Sequence, residues 1–208
     1  MSLPAPANVG STPQTSCTSV AHIGDSLSVG LDSAGYVGSP DARISARYAA
    51  VGVRTLRLES SGGRSVIEHL DAQEDGETVA KRVRQAGFHG CWVIALGTND
   101  AANVAHSSQY GYSERIDRMM AVIGEDPVLW VDAKTTRRTG DYGAANMRLF
   151  NQALAKAHAR YPGLEVYAWS DDAADGWFQR DGIHNSQVGA AHRAALIAGA
   201  LAAAFPAE

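Results

Sequence analysis

Residues 21–30 read AHIGDSLSVG. Small apolar residues lead into Gly24-Asp25-Ser26-Leu27 where a strand should end. An acid beside a hydroxyl at such a tip is more than solubility requires. Working outward, comparable runs follow at 53–59 (VRTLRLE), 91–96 (CWVIAL), 127–132 (PVLWVD) and 164–169 (LEVYAW). Several are near-continuously apolar, as expected of parallel strands covered on both faces. Helical patterns lie between them. Residues 113–123 place Ile116, Met119, Met120 and Ile123 on one face, with Ser113 as the expected cap. Residues 144–161 repeat the pattern with Met147, Phe150, Leu154 and Tyr161. The closing helix, 186–205, is expected to bury Val188, Leu196, Ile197, Leu201 and Phe205. Strands separated by helices predict a doubly wound α/β sandwich with right-handed crossovers. Ligands of such folds bind beyond the C-terminal strand ends. Ser26 falls at one of them.

The 208 residues suit one domain, and 45% hydrophobic with 19% charged residues is ordinary for a globular fold. A net charge of −4 without a basic cluster excludes a nucleic-acid footprint. The apolar run 194–205 is too short to span a bilayer. Residues 1–18, rich in Pro, Ser, Thr and Ala and free of charge, read as a flexible leader or expression-derived segment, with a single domain over 19–208. No secretory leader pattern precedes it. Cys17 and Cys91 each stand just ahead of a strand. They read as a bridge, or else as two buried thiols. A bridge would close roughly 75 residues, stabilise by about 4 kcal/mol in the chain-entropy model, and imply export.

Four stretches carry candidate chemistry. Ser26 could be a nucleophile with its N–H turned into a site, or simply a helix cap. GDSLS lacks the second glycine of G-x-S-x-G, which disfavours that strand–turn–helix elbow. Asn99, in Gly97-Thr98-Asn99-Asp100 at the tip of 91–96, could aim an amide at an oxyanion or could be a turn residue. Gly62 and Gly63 in ESSGGRSV could expose a backbone N–H. Asp181 and His184 in DGIH are spaced so that the carboxylate reaches Nδ1, leaving Nε2 for Ser26. Asp25 and Asp100 are expected to anchor their tips through backbone N–H groups. Asp171, Asp172 and Asp175 lack the register of Asp181 with His184. No histidine pair has metal-ligand spacing, so neither metal nor cofactor is expected.

Taken together, these blocks resemble the SGNH hydrolase superfamily, the GDSL-type esterases and lipases. The likeness runs through Gly24-Asp25-Ser26-Leu27, Gly62/Gly63, Gly97-Thr98-Asn99-Asp100 and Asp181-Gly182-Ile183-His184, spanning residues 19–205. It implies a flavodoxin-like three-layer α/β/α sandwich whose five-stranded parallel sheet has the order 2-1-3-4-5. That order makes the strands after Cys17 and Cys91 neighbours, which supports the bridge. It also implies Ser26 as nucleophile, His184 as base and then acid, and Asp181 as its orienter. The oxyanion hole would be the Ser26 N–H, the Asn99 side chain and the N–H of Gly63 or Gly62, with Gly63 preferred. Many relatives continue Leu-Thr after the histidine, where this chain has Asn185-Ser186.

The expected activity is an esterase working through an acyl-enzyme on small acyl groups of carbohydrate. The alternatives are an acyltransferase domain delivering the acyl group to a glycan hydroxyl, or a short-chain lipase or thioesterase. The partner is a small-molecule or glycan ester, the chain is expected to be an exported monomer, and no transmembrane segment is expected. Loops 35–48, 101–112, 133–143 and 171–180 should form the rim, with Tyr110, Tyr112, Arg137, Arg138, Trp177 and Phe178 around the site.

Overall fold

The computed structural model describes residues 12–70 and 73–207. Five strands, β1 (Ser19–Gly24), β2 (Thr55–Ser60), β3 (Cys91–Ala95), β4 (Val128–Val131) and β5 (Leu164–Tyr167), form an all-parallel sheet in the order β2-β1-β3-β4-β5. This is the SGNH-type, flavodoxin-like architecture expected from the sequence. Side chains alternate across the sheet. Trp92 and Ile94 of β3 enter the core under one helical layer, while Val93 and Ala95 enter the opposite one. The eight helices of the described residues are α1 (Ser26–Val29), α2 (Ile44–Ala50), α3 (Gly76–Gln85), α4 (Thr98–Ala105), α5 (Tyr112–Ile123), α6 (Ala144–His158), α7 (Trp169–Asp172) and α8 (Gln187–Ala204). On one face, Val79 and Val83 of α3, Met119 of α5 and Phe150 of α6 pack with Trp92 and Trp130. On the other, Ile44 and Tyr48 of α2 and Ile197 and Leu201 of α8 pack with Val20, Val93 and Leu129.

Several boundaries shift for identifiable reasons. The second strand begins at Thr55 rather than 53, because the Val53 N–H turns back to the Tyr48 carbonyl. The fifth ends at Tyr167, and Trp169 opens α7. Ser113 is not a cap: α5 starts at Tyr112 after Gly111. The helix expected over 144–161 stops at His158. Val188 lies on the outer face of α8 and is 62% exposed, so it is not a core residue. Ser186 caps that helix by accepting from the Gly189 N–H.

Residues 12–18 of the expected leader lie within the described residues. The Thr15 N–H donates to the Val51 carbonyl and the Thr15 hydroxyl to the Phe205 carbonyl, so this stretch is stitched to the ends of α2 and α8. Residues 1–11 of the expected leader lie outside the described residues. Cys17 and Cys91 form a disulfide with Cα atoms 5.6 Å apart. The β1–β3 register explains it, since Val20 stands opposite Cys91 and the chain ahead of β1 passes beside the start of β3. Among the described residues, no helix is long and apolar enough to cross a membrane.

Candidate active site

The nucleophile candidate is held by its acidic neighbour. Asp25 caps α1, and its Oδ1 accepts from the Leu27 N–H at 2.9 Å. Ser26 is therefore the first residue of a helix of a single turn, too short to bring a large dipole to the serine. Its position comes from the turn itself. Ser28, which stands where an elbow would have glycine, is fully buried and shares a 3.0 Å hydrogen bond with His22 Nε2. A Cβ at Gly24 would lie 2.1 Å from the Ser28 hydroxyl, so Gly24 is needed for this packing. His22 Nδ1 in turn meets the Tyr48 hydroxyl at 2.9 Å. Burial, aided by Arg193, pushes the His22 imidazolium down to about 3, so this histidine is a neutral structural group.

Ser26, His184 and Asp181 come together as one line. Ser26 Oγ lies 3.0 Å from His184 Nε2, and His184 Nδ1 lies 2.7 Å from Asp181 Oδ2. Asp181 Oδ1 accepts from the N–H groups of Ile183 and His184, at 2.8 and 3.0 Å. Partial burial opposes ionisation of Asp181. The His184 bond and the two backbone donors outweigh it and hold the carboxyl below its ordinary value. An ionised acceptor at Nδ1 puts the ring proton there, and Nε2 is then free to accept from the Ser26 hydroxyl. Asp171, Asp172 and Asp175 stand elsewhere: Asp172 accepts from the Tyr167 hydroxyl and Asp175 faces Lys134.

The glycine loop and the asparagine are clipped together beside the serine. Asn99 is 7% exposed in the first turn of α4, and its Nδ2 donates to the Arg64 carbonyl at 3.0 Å. Tyr142 donates its hydroxyl to Asn99 Oδ1. The next residue, Asp100, accepts from the Val66 N–H at 2.8 Å and from buried Arg115 at 3.0 Å. Asp100 thus anchors the distant glycine loop and Arg115 of α5, and not, as expected, the backbone N–H groups of its own tip. Gly63 has φ +71° and a Cβ there would approach Leu70 Cδ1 to 2.8 Å, whereas Gly62 has open space around it. Among the described residues, the N–H groups of Ser26, Gly62 and Gly63 have no hydrogen-bond partner.

A cavity of about 340 Å³ opens beside Ser26 and His184, walled by Leu27, Val29, Tyr36, Gln179 and Ala190. Tyr36 and Gln179 both donate to the Asn185 carbonyl. The loops 35–48 and 171–180 do contribute, but through Tyr36 and Gln179, which the sequence did not single out. Four expected rim aromatics are elsewhere. Tyr112 packs edge-on against Phe150, and Phe178 is buried in the opposite core. Trp177 stacks between Trp169 and His192, and Tyr110 lies under Arg118. Apolar area favours burial, so these side chains complete the core and its margins. Arg137 and Arg138 line a second cleft beside Asp181.

No protein-family model and no curated protein matches this sequence. Solved structures match it in fold. A lipase/acylhydrolase from Enterococcus faecalis superposes with a TM-score of 0.68 at 22% identity, covering 91% of this chain and 99% of that one. A carbohydrate acetylesterase family member from Sinorhizobium meliloti gives 0.64 at 18%, covering 88% and 95%. A putative GDSL-like lipase from Parabacteroides merdae gives 0.59 at 13%, covering 92% and 100%. The chain has the fold of SGNH/GDSL acylhydrolases.

Proposed function

We propose that this chain is an exported serine esterase that removes small acyl groups from carbohydrate through an acyl-enzyme. The observation that carries the reading is the Ser26–His184–Asp181 line, with a 3.0 Å contact between Ser26 and His184 from opposite ends of the chain and a 2.7 Å contact between His184 and Asp181 of one turn. Ser26 Oγ attacks the ester carbonyl while His184 Nε2 takes its proton. The oxyanion is held by the Ser26 N–H, the second Asn99 amide hydrogen and the Gly63 N–H. As the C–O bond breaks, His184 returns the proton to the departing alcohol. Water, deprotonated by the same imidazole, then attacks the acyl-enzyme and frees Ser26. The fold neighbours described as acylhydrolase and carbohydrate acetylesterase support the class of reaction and of substrate. The cavity beside Ser26 suits a small acyl group, and the Cys17–Cys91 disulfide supports export.

Hydrolysis of 4-nitrophenyl acetate and of long-chain 4-nitrophenyl esters tests this directly. Wild type should favour acetate. Ser26→Ala should abolish turnover and labelling by a serine-directed fluorophosphonate without altering the circular dichroism spectrum. Full activity in Ser26→Ala ends the proposal.

A further inference from the structure

The loop joining β4 to α6 links the two halves of the candidate site. Near one end, Tyr142 holds Asn99 through its hydroxyl and accepts from Thr135 Oγ1 through its carbonyl at 2.7 Å. Near the other, the Thr136 N–H donates to the Gly182 carbonyl at 2.8 Å, inside the turn that carries Asp181. Between these anchors the chain exposes Arg137 and Arg138, and Arg180 stands across the Thr136–Gly182 bond. The three arginines, with Asp181 and Gly182, line a cleft of about 430 Å³. None of their guanidinium groups makes an ion pair or hydrogen bond among the described residues. Arg82, Arg84, Arg115 and Arg118, by contrast, each hold a carboxylate. With Asp181 as the one carboxylate of the lining, three guanidinium groups leave the cleft with a net positive charge, on a chain of net charge −4.

The placement of the cleft relative to the chemistry indicates what it would read. The leaving oxygen takes its proton from His184 Nε2, so the alcohol part of an ester leaves from beside the imidazole, and a long one can extend along the ring. Asp181 lies on the far side of that ring, and the arginines surround its turn. Guanidinium forks match the paired oxygens of carboxylate, sulfate and phosphate groups. We infer that the Arg137–Arg138–Arg180 cleft binds an anionic group on the alcohol part of the substrate, so that the preferred esters are those of acidic alcohols such as acidic sugars. That the bound molecule is an ester rests on the serine-esterase reading above; the charge of the cleft does not. Because the groups are exposed, the attraction is screened by salt.

The test compares aryl acetates whose leaving phenols carry different charged groups, 4-acetoxybenzoate, 4-acetoxybenzenesulfonate and 4-acetoxyphenyl phosphate, against the neutral methyl 4-acetoxybenzoate, with the arginine variant cancelling their differences in leaving-group reactivity. Wild type should prefer the charged esters by kcat/KM, with the preference carried by KM and reduced in high salt. The rank among the three anions identifies the group. In R137Q/R138Q/R180Q the charged-to-neutral ratio should fall about tenfold. An unchanged ratio overturns the inference. A second arm needs no turnover: calorimetric binding to Ser26→Ala of a galacturonate trimer and of its neutral methyl ester. Selective binding of the acidic trimer, lost when the three arginines are replaced by Gln, sustains the inference even if every ester resists hydrolysis and the esterase reading fails. Equal binding of both trimers, or none, overturns it.

Discussion

Tyr142 donates its hydroxyl proton to Asn99 Oδ1 at 3.1 Å, and so fixes which way the Asn99 amide faces. Its oxygen is occupied by a donor, and one amide hydrogen is spent on the Arg64 carbonyl at 3.0 Å. The second amide hydrogen has no partner among the described residues and is free for the oxyanion role proposed above. Tyr142→Phe removes the donor without removing the ring. The expected result is a fall in kcat of roughly 2–10-fold with little change in KM, as for one hydrogen bond that orients an oxyanion donor. Steady-state kinetics on 4-nitrophenyl acetate measures it, and an effect on KM alone would contradict the positioning role.

The two adjacent glycines should respond differently to alanine. At Gly63 the left-handed backbone and the Leu70 contact both oppose a Cβ, whereas Gly62 has room. Gly63→Ala should lower stability by about 1–2 kcal/mol, and Gly62→Ala by a few tenths at most. Urea denaturation curves for the pair decide it; equal midpoints would mean that the turn relaxes around either residue.

Asp25 sets a pH signature on stability. Burial pushes its carboxyl up to about 6 from an ordinary 3.8, against the Leu27 N–H bond and the charges of Arg193 and His184. A raised value in the folded state means that the contribution to stability is complete below pH 3.8 and is lost as pH rises through about 6. An amide in place of this carboxyl cannot ionise. Asp25→Asn should therefore gain on wild type by about 2–3 kcal/mol between acid and neutral pH. Denaturation at both ends of the range checks this, and a difference that does not vary with pH would count against it.

The disulfide joins positions 74 apart at the strand starts, the end of the sheet opposite the candidate site. Reduction, or Cys17→Ala with Cys91→Ala, should cost about 4 kcal/mol of stability in the chain-entropy model. Ester turnover by the protein that remains folded should be nearly unchanged. Paired unfolding and activity measurements with and without reductant would expose any coupling between bridge and site.

The local pattern of the chain determined the parts that depend on near neighbours. Apolar runs ending in Gly-Asp-Ser and Gly-Thr-Asn-Asp placed the strand tips, because a strand covered on both faces must be apolar and a tip must turn. The three-residue spacing of Asp181 and His184 was legible for the same reason, since one turn brings the carboxylate to Nδ1. Tertiary structure alone decided the rest. Whether Tyr112, Trp177 and Phe178 line a cavity or fill the core depends on which surfaces the layers leave open, and packing claimed them. Tyr36, Gln179 and Tyr142 gave no local signal, since each meets a residue far along the chain: Asn185, Tyr36 and Asn99 respectively. The same holds for Asp100, whose carboxylate clips the glycine loop of Val66 to α4. Periodicity reports which face of an element is buried; only the closed fold fixes which distant polar atoms come within hydrogen-bonding distance.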